Sequence, residues 1–285
     1  MSAPTVAIPI STQFDVRRRR RRITPGLIAG GSILGVVIIL AVFAPLIAPY
    51  NPTHINLNDI LAGPSGAHWL GTDQLGRDVW SRLLYGARTD LSVAFLAVIS
   101  PFVLGTVLGA IAGYTGGFAD AIIMRIADVI VAFPFYVLVL LLVFLLGPGV
   151  HSIIITVTAV SWVAYARIVR GSTLVAKSEE YVLAARVGGL RKMRIIVRHI
   201  LPNVITQAVI YAMSDIVLDI VLIVTLGYLG LGIPPPASDW GAMMASGQQF
   251  LTTDWALSTI PGIAVVITGL GLSLTGDGLA ELLRM

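Results

Sequence analysis

The sequence predicts an all-α polytopic membrane protein, and three observations point there. Apolar residues make up 56% of the 285 and charged residues 12%, with a mean hydropathy of +0.88, more apolar than a soluble domain requires. The apolar residues fall in runs long enough to cross about 30 Å of hydrocarbon, which takes roughly 20 helical residues. The basic residues behind the net charge of +4 gather at the ends of those runs. They are neither spread over a soluble face nor interleaved with stacking aromatics, so no nucleic-acid surface is expected.

Six spans follow, at 25–48, 91–113, 121–146, 151–169, 204–229 and 256–274. A basic N-terminal tail occupies 1–24, and the segment 49–90 carries an interfacial helix. A five-helix core at 91–277 contains a charged loop at 178–203, and a short tail closes the chain at 278–285. With the N-terminus in the cytoplasm, only Arg77, Arg82 and Arg88 of the 19 basic residues fall outside, so both termini and the charged loop are placed inside. The stretch behind the arginine run at 17–22 is longer than a signal's apolar core, and Ala44-Pro45-Leu46-Ile47-Ala48-Pro49 is a poor cleavage site. An uncleaved first span is therefore expected.

Several chemistries are excluded by composition. The chain has no cysteine, hence no disulfide, thiolate metal site or Cys nucleophile. His54, His68, His151 and His199 lack metal-ligand spacing. We find no convergent catalytic constellation, so no catalytic or metal-binding residue is assigned. No Gly-x-x-x-x-Gly-Lys-Ser/Thr phosphate loop occurs, so any ATP hydrolysis must come from a partner.

The charged loop is the most informative segment. A short helix is expected over 179–187, broken by Gly188 and Gly189, and a second over 190–201 closed by Pro202. On the second helix Leu190, Met193, Val197 and Ile200 form an apolar stripe, with Arg191, Arg194 and Arg198 on another face. On the first, Ala184 and Ala185 followed by Gly188 leave a small-residue notch where another backbone can approach. Such a segment suits either docking to a partner or resting on anionic lipid headgroups.

Four further features complete the reading. Asp73 and Asp78 precede Arg77 and Arg82 by four residues, a spacing for helical ion pairs. Gly105, Gly109 and Gly113 form a small-xxx-small stripe for close helix packing. Arg125 and Asp128 are spaced for a local pair near Pro134, which can kink the third span. Asp215 and Asp219 lie one turn apart on one face of the fifth span, where a carboxylate costs about 2.5–3.5 kcal/mol in lipid and should therefore face a bundle interior or wet cavity. They are assigned to the translocation path, with a structural pair satisfied by hydroxyls or a basic partner as the alternative.

The loop resembles that of permeases of ATP-binding-cassette (ABC) importers, whose pattern is Glu-Ala-Ala, three residues, Gly, nine residues, Ile, one residue, Leu-Pro. Ala184, Ala185, Gly189, Leu201 and Pro202 fall in register, while Leu183 replaces the Glu and His199 the Ile. The string GTDQLGRDVWSRLLYGART, and Leu229-Gly230-Leu231-Gly232-Ile233-Pro234-Pro235 leading to Trp240-Gly241, resemble the dipeptide, oligopeptide and nickel branch in its C-type subunit. That branch often has a Glu at the position of Ile223.

This resemblance implies a type I ABC importer permease core in a bacterial plasma (inner) membrane, carrying di- or oligopeptides, or alternatively nickel or another small solute. It implies a second homologous permease, two cytoplasmic ATPase subunits or domains that hold the ATP and Mg, an external solute-binding protein, and membrane lipid around the spans. No cofactor is expected on this chain. The ATPase-docking residues it implies are Glu180, Tyr181, Ala184, Ala185, Arg186, Gly188, Gly189, Arg191, Arg194, Leu201 and Pro202, with a bulky residue at Gly189 or Ala185 expected to weaken attachment. A secondary transporter or channel remains the rival from another class, which the intramembrane acids permit and the absence of an evident inverted repeat opposes.

Overall fold

Thr24 opens the first helix by accepting the Leu27 amide on its hydroxyl at 3.3 Å, with Pro25 at the first helical position. The computed structural model describes residues 24–284, so the arginine run at 17–22 and most of the N-terminal tail lie outside the described residues. Helices follow in order as α1 (Pro25–Val42), α2 (Ala44–Ile47), α3 (Val79–Thr115), α4 (Gly117–Val131), α5 (Phe135–Leu146), α6 (Val150–Ala176), α7 (Glu180–Val187), α8 (Lys192–Ile195), α9 (Leu201–Tyr228), α10 (Trp240–Gly247) and α11 (Ala256–Arg284). The described residues include no strand beyond an isolated bridge between Thr72 and Asp78. Among the described residues, five helices are long and apolar enough to cross a membrane, and there are six spans if the bent pair α4–α5 is one.

The glycine stripe sets the centre of the bundle. A Cβ on Gly105 or Gly109 would collide with the Trp162 or Ala166 carbonyl oxygen, and one on Gly113 would lie 2.7 Å from Thr173 Cβ. Numbers rise together on both sides, so α3 and α6 pack in parallel with backbones nearly touching. The first span packs against the last in a similar way. A Cβ on Gly30 would lie 2.6 Å from Thr275 N, and one on Gly278 2.6 Å from Leu27 Cβ, so α1 and α11 run antiparallel.

The third predicted span is not one helix. It breaks over Ala132, Phe133 and Pro134 into α4 and α5, bent by 91°. Pro134 has no amide hydrogen to continue the ladder of α4 and instead caps α5, its carbonyl accepting Leu138 N at 3.0 Å. The expected pair between Arg125 and Asp128 does not form; Asp128 accepts Arg167 of α6 at 2.8 Å, and Asp120 accepts Arg170 at 2.6 Å. These pairs tie α4 to α6.

The segment before α3 also departs from expectation. Residues 69–78 form turns, not an interfacial helix, and helix begins only at Val79. Gly76, at φ +66°, sits against the Asn56 carbonyl where no side chain fits. Asp73 pairs with Arg77 at 2.8 Å inside this turn and also takes the Arg82 guanidinium. Arg82 is not left for Asp78, because Asp78 caps α3, accepting Ser81 N at 2.7 Å and meeting His68 Nδ1 at 2.9 Å. Asp78→Ala is expected to destabilise the protein by about 1 kcal/mol or more, with Asp78→Asn retaining most of the cap. Thermal melting of the detergent-solubilised protein checks this, and equal midpoints for wild type and Asp78→Ala would refute the capping role.

The glycine and proline segment after α9 leads into α10, which plugs between α3, α9 and α11. Trp240 is 1% exposed; its backbone N–H donates to Asp90 Oδ2 and its indole to Leu83 O, each at 3.0 Å. A Cβ on Gly241 would meet the α9 backbone at Gly227 Cα, 2.9 Å away. Asp239 caps α10 through Ala242 N at 2.7 Å; burial pushes its carboxyl above the ordinary carboxylate value, while the Ala242 amide, Arg82 and the Gly241 amide act to lower it. The Trp-Gly pair is thus a packing device.

Candidate docking face and translocation cavity

Helix α7 ends in a Schellman turn. Gly189 N–H donates to Arg186 O at 3.1 Å and Leu190 N–H to Ala185 O at 3.2 Å, with Gly189 at φ +76°. This turn is why two glycines follow the helix. No atom lies close enough to crowd a Cβ on Gly189, so a side chain there would be resisted by backbone strain of about 1–2 kcal/mol rather than by a collision.

The second half of the segment differs from the predicted helix over 190–201. After α8 the chain makes a π turn at Ile196–Ile200 and runs straight into α9. Pro202 does not end a helix; it occupies the first turn of α9. In the wider π ring Leu201 N bonds Ile196 O, so the chain stays helical where a proline would otherwise clash with the carbonyl four residues back. Asn203 Nδ2 donates to His199 O at 2.7 Å and to Tyr181 Oη at 3.2 Å, tying the turn to α7.

This geometry changes which side faces inward. Ile195, Ile196 and Ile200 are buried with Val182, Val169 and Tyr114 in one apolar cluster, whereas Met193 and Val197, expected on the inner stripe, are exposed. Leu190 and Leu201 pack at the edge of that cluster. The small-residue notch is split, with Ala185 9% exposed and turned into the cluster while Ala184 and Gly188 face outward. Arg186 lies over the Tyr114 ring at 5.7 Å. The outer surface therefore carries Glu180, Tyr181, Leu183, Val187 and Pro202 with Arg186, Arg191 and Arg194, and Val187 is 90% exposed.

Deeper in the bundle, Asp215 and Asp219 are both buried and line a cavity of about 470 Å³ between the α4–α5 elbow, α6 and α9. Tyr165 of α6 donates its hydroxyl to Asp215 Oδ2 at 2.7 Å. Asp219 Oδ2 has no hydrogen-bond partner among the described residues. Phe133, Phe135 and Tyr136 enter the same cavity from the elbow. Tyr165 and these rings were not assigned from the sequence: Tyr165 is 50 residues from Asp215, and aromatic residues in an apolar span give no sign of which face they take.

A family model described as the inner membrane component of binding-protein-dependent transport systems matches residues 105–284. The chain belongs to that family. Residues 15–64 of the permease match the N-terminal transmembrane domain of oligopeptide transport permease C. The permease is 36% identical over 280 residues to a dipeptide transport system permease protein of Alkalihalophilus pseudofirmus, covering 98% of this chain and 90% of that one. It is 38% identical to a glutathione transport system permease protein of Pectobacterium atrosepticum, over 90% of this chain and 85% of that one. An oligopeptide transport system permease protein of Bacillus subtilis is 38% identical over 88% of this chain and 82% of its own length. In fold, 71% of the permease superimposes on 96% of a chain of the MetNI methionine ABC transporter in an inward-facing form, with a TM-score of 0.56 at 19% identity.

Proposed function

We propose that this permease forms, with a second homologous permease, the membrane path of an ATP-driven importer of di- or oligopeptides. The observation that carries the ATP-driven part is the exposed apolar and basic surface that includes Val187, in a chain whose sequence holds no phosphate loop. An exposed apolar patch rimmed by charge is a protein contact awaiting its partner. Two cytoplasmic ATPase subunits or domains dock there through Glu180, Tyr181, Ala184, Arg186, Gly188, Arg191, Arg194 and the exposed Pro202, with Gly189 turning the chain and Ala185 and Leu201 packing the segment from beneath. They hold the ATP and Mg, and the permease itself binds no cofactor.

The cargo is proposed from the dipeptide, oligopeptide and glutathione relatives, and an external solute-binding protein delivers it. Both termini lie in the cytoplasm of a bacterial cell whose inner membrane the chain crosses. When the ATPases close on ATP, the 178–203 segment transmits the movement to α6 and α9, between which Asp215 and Asp219 line the path.

Expression of the complete importer in cells lacking other peptide importers tests this directly. Labelled alanyl-alanine is expected to accumulate, and deleting this chain or inactivating the copurifying ATPases should reduce uptake to background. Accumulation of nickel but not peptide would transfer the architecture to that solute. Ion-driven uptake by this chain alone would overturn the reading.

A further inference from the structure

We infer that the cavity beside Asp219 is a subsite for the protonated amino group of the cargo, which rests on the reading of this chain as a peptide-importing permease. Several observations support it. Asp215 and Asp219 supply two carboxyl groups to one wall, and Asp219, 2% exposed, has an oxygen without a partner among the described residues. A buried oxygen of that kind is costly unless something bonds it. Asp215 is already held by the Tyr165 hydroxyl at 2.7 Å, so the open valence belongs to Asp219.

The remaining wall suits a cation as well. Phe133, Phe135, Tyr136 and Tyr211 line the same space, and ring faces attract an ammonium within about 6 Å. The basic side chain on the lining, Arg167, is engaged by Asp128 at 2.8 Å, so it does not neutralise the aspartates. At about 470 Å³ the cavity falls within the range of small-molecule sites, roughly 300–1,000 Å³. Two carboxyl groups, aromatic side chains on the lining and an unmatched oxygen on Asp219 together suit a primary ammonium, which every peptide with a free amino end carries.

The test uses the assembled permease and ATPase complex without the solute-binding protein, so that the receptor's own selection does not enter. Retention of labelled alanyl-alanine is compared with that of N-acetyl-alanyl-alanine, which has the same backbone but no ammonium. Wild type is expected to prefer the free amine about tenfold or more, with methylammonium competing and sodium at equal ionic strength not competing. Asp219→Asn should lose the preference and Asp219→Glu should keep it.

Retention of both probes alike by wild type, or of neither, overturns the subsite, as does a preference that survives Asp219→Asn. Displacement by sodium as effective as by methylammonium assigns the cavity to a metal ion instead and also overturns it. Should Asp219→Asn fail to assemble, the wild-type probe comparison and Asp219→Glu still decide. A complex that imports alanyl-alanine with ATP but shows no amino preference loses this subsite alone. One that assembles no ATPase, or that imports no peptide once the solute-binding protein is restored, loses the broader reading.

Discussion

Gly109→Ala is expected to destabilise the permease by about 1–3 kcal/mol, whereas Gly269→Ala should be neutral or stabilise it by up to about 1 kcal/mol. Both glycines sit inside long apolar helices, where alanine is the better helix former, so propensity alone predicts the same gain at each. The surroundings reverse the sign at one of them. A Cβ on Gly109 would press on the Ala166 carbonyl, with the carbonyl carbon only 3.0 Å away, while one on Gly269 meets nothing within 4 Å. Backbone cannot swing aside as a side chain can, so α3 and α6 must separate, and the Gly105 and Gly113 contacts on the same stripe open with them. Thermal melting of the two variants in one detergent measures the difference. Equal midpoints would mean that the α3–α6 contact does not hold the bundle together.

The second large effect concerns attachment. Val187→Glu is expected to leave the yield and melting of the permease unchanged within about 0.5 kcal/mol, because an exposed side chain with no contacts to lose has little effect on stability. It should nevertheless reduce copurifying ATPase tenfold or more, since docking would bury an unpaired carboxylate within an apolar contact. Ala185→Leu should behave in the opposite way. Ala185 is 9% exposed within the cluster of Val182, Ile195 and Ile200, so a larger side chain there disturbs the permease before any partner arrives. The ratio of ATPase to permease in a pull-down, at matched permease yield, separates the two. A wild-type ratio and wild-type coupled uptake for Val187→Glu would remove this face from the docking role.

The contrast between Val187 and Ala185 shows where the sequence stopped being informative. Helix α7, its glycine break and the basic character of the segment follow from residues within a few positions of each other. The inward face of the next turns does not. A π turn at Ile196–Ile200 shifts the phase, so Ile195 and Ile196 go inward and the regularly spaced Met193 and Val197 go out. An extra residue in one turn is invisible to a pattern that assumes a fixed period.

Five of the six predicted spans were legible as single helices because crossing hydrocarbon demands long apolar runs and intrahelical hydrogen bonds, which those runs supply alone; the run at 121–146 breaks near Pro134. A close-packing face on α3 was legible too, since glycines four apart leave a groove on one helix side; that α6 fills it was not. Only the tertiary structure decided how far the chain turns at the kink expected at Pro134, 91°, the claim of Asp73 on Arg82 and the Tyr165 bond to Asp215. Each depends on partners distant in sequence or on how neighbouring helices fill the space around a break. Lipid tails and protein interiors are equally apolar, so hydropathy determines that these helices cross the membrane, while packing and hydrogen bonding determine which faces meet.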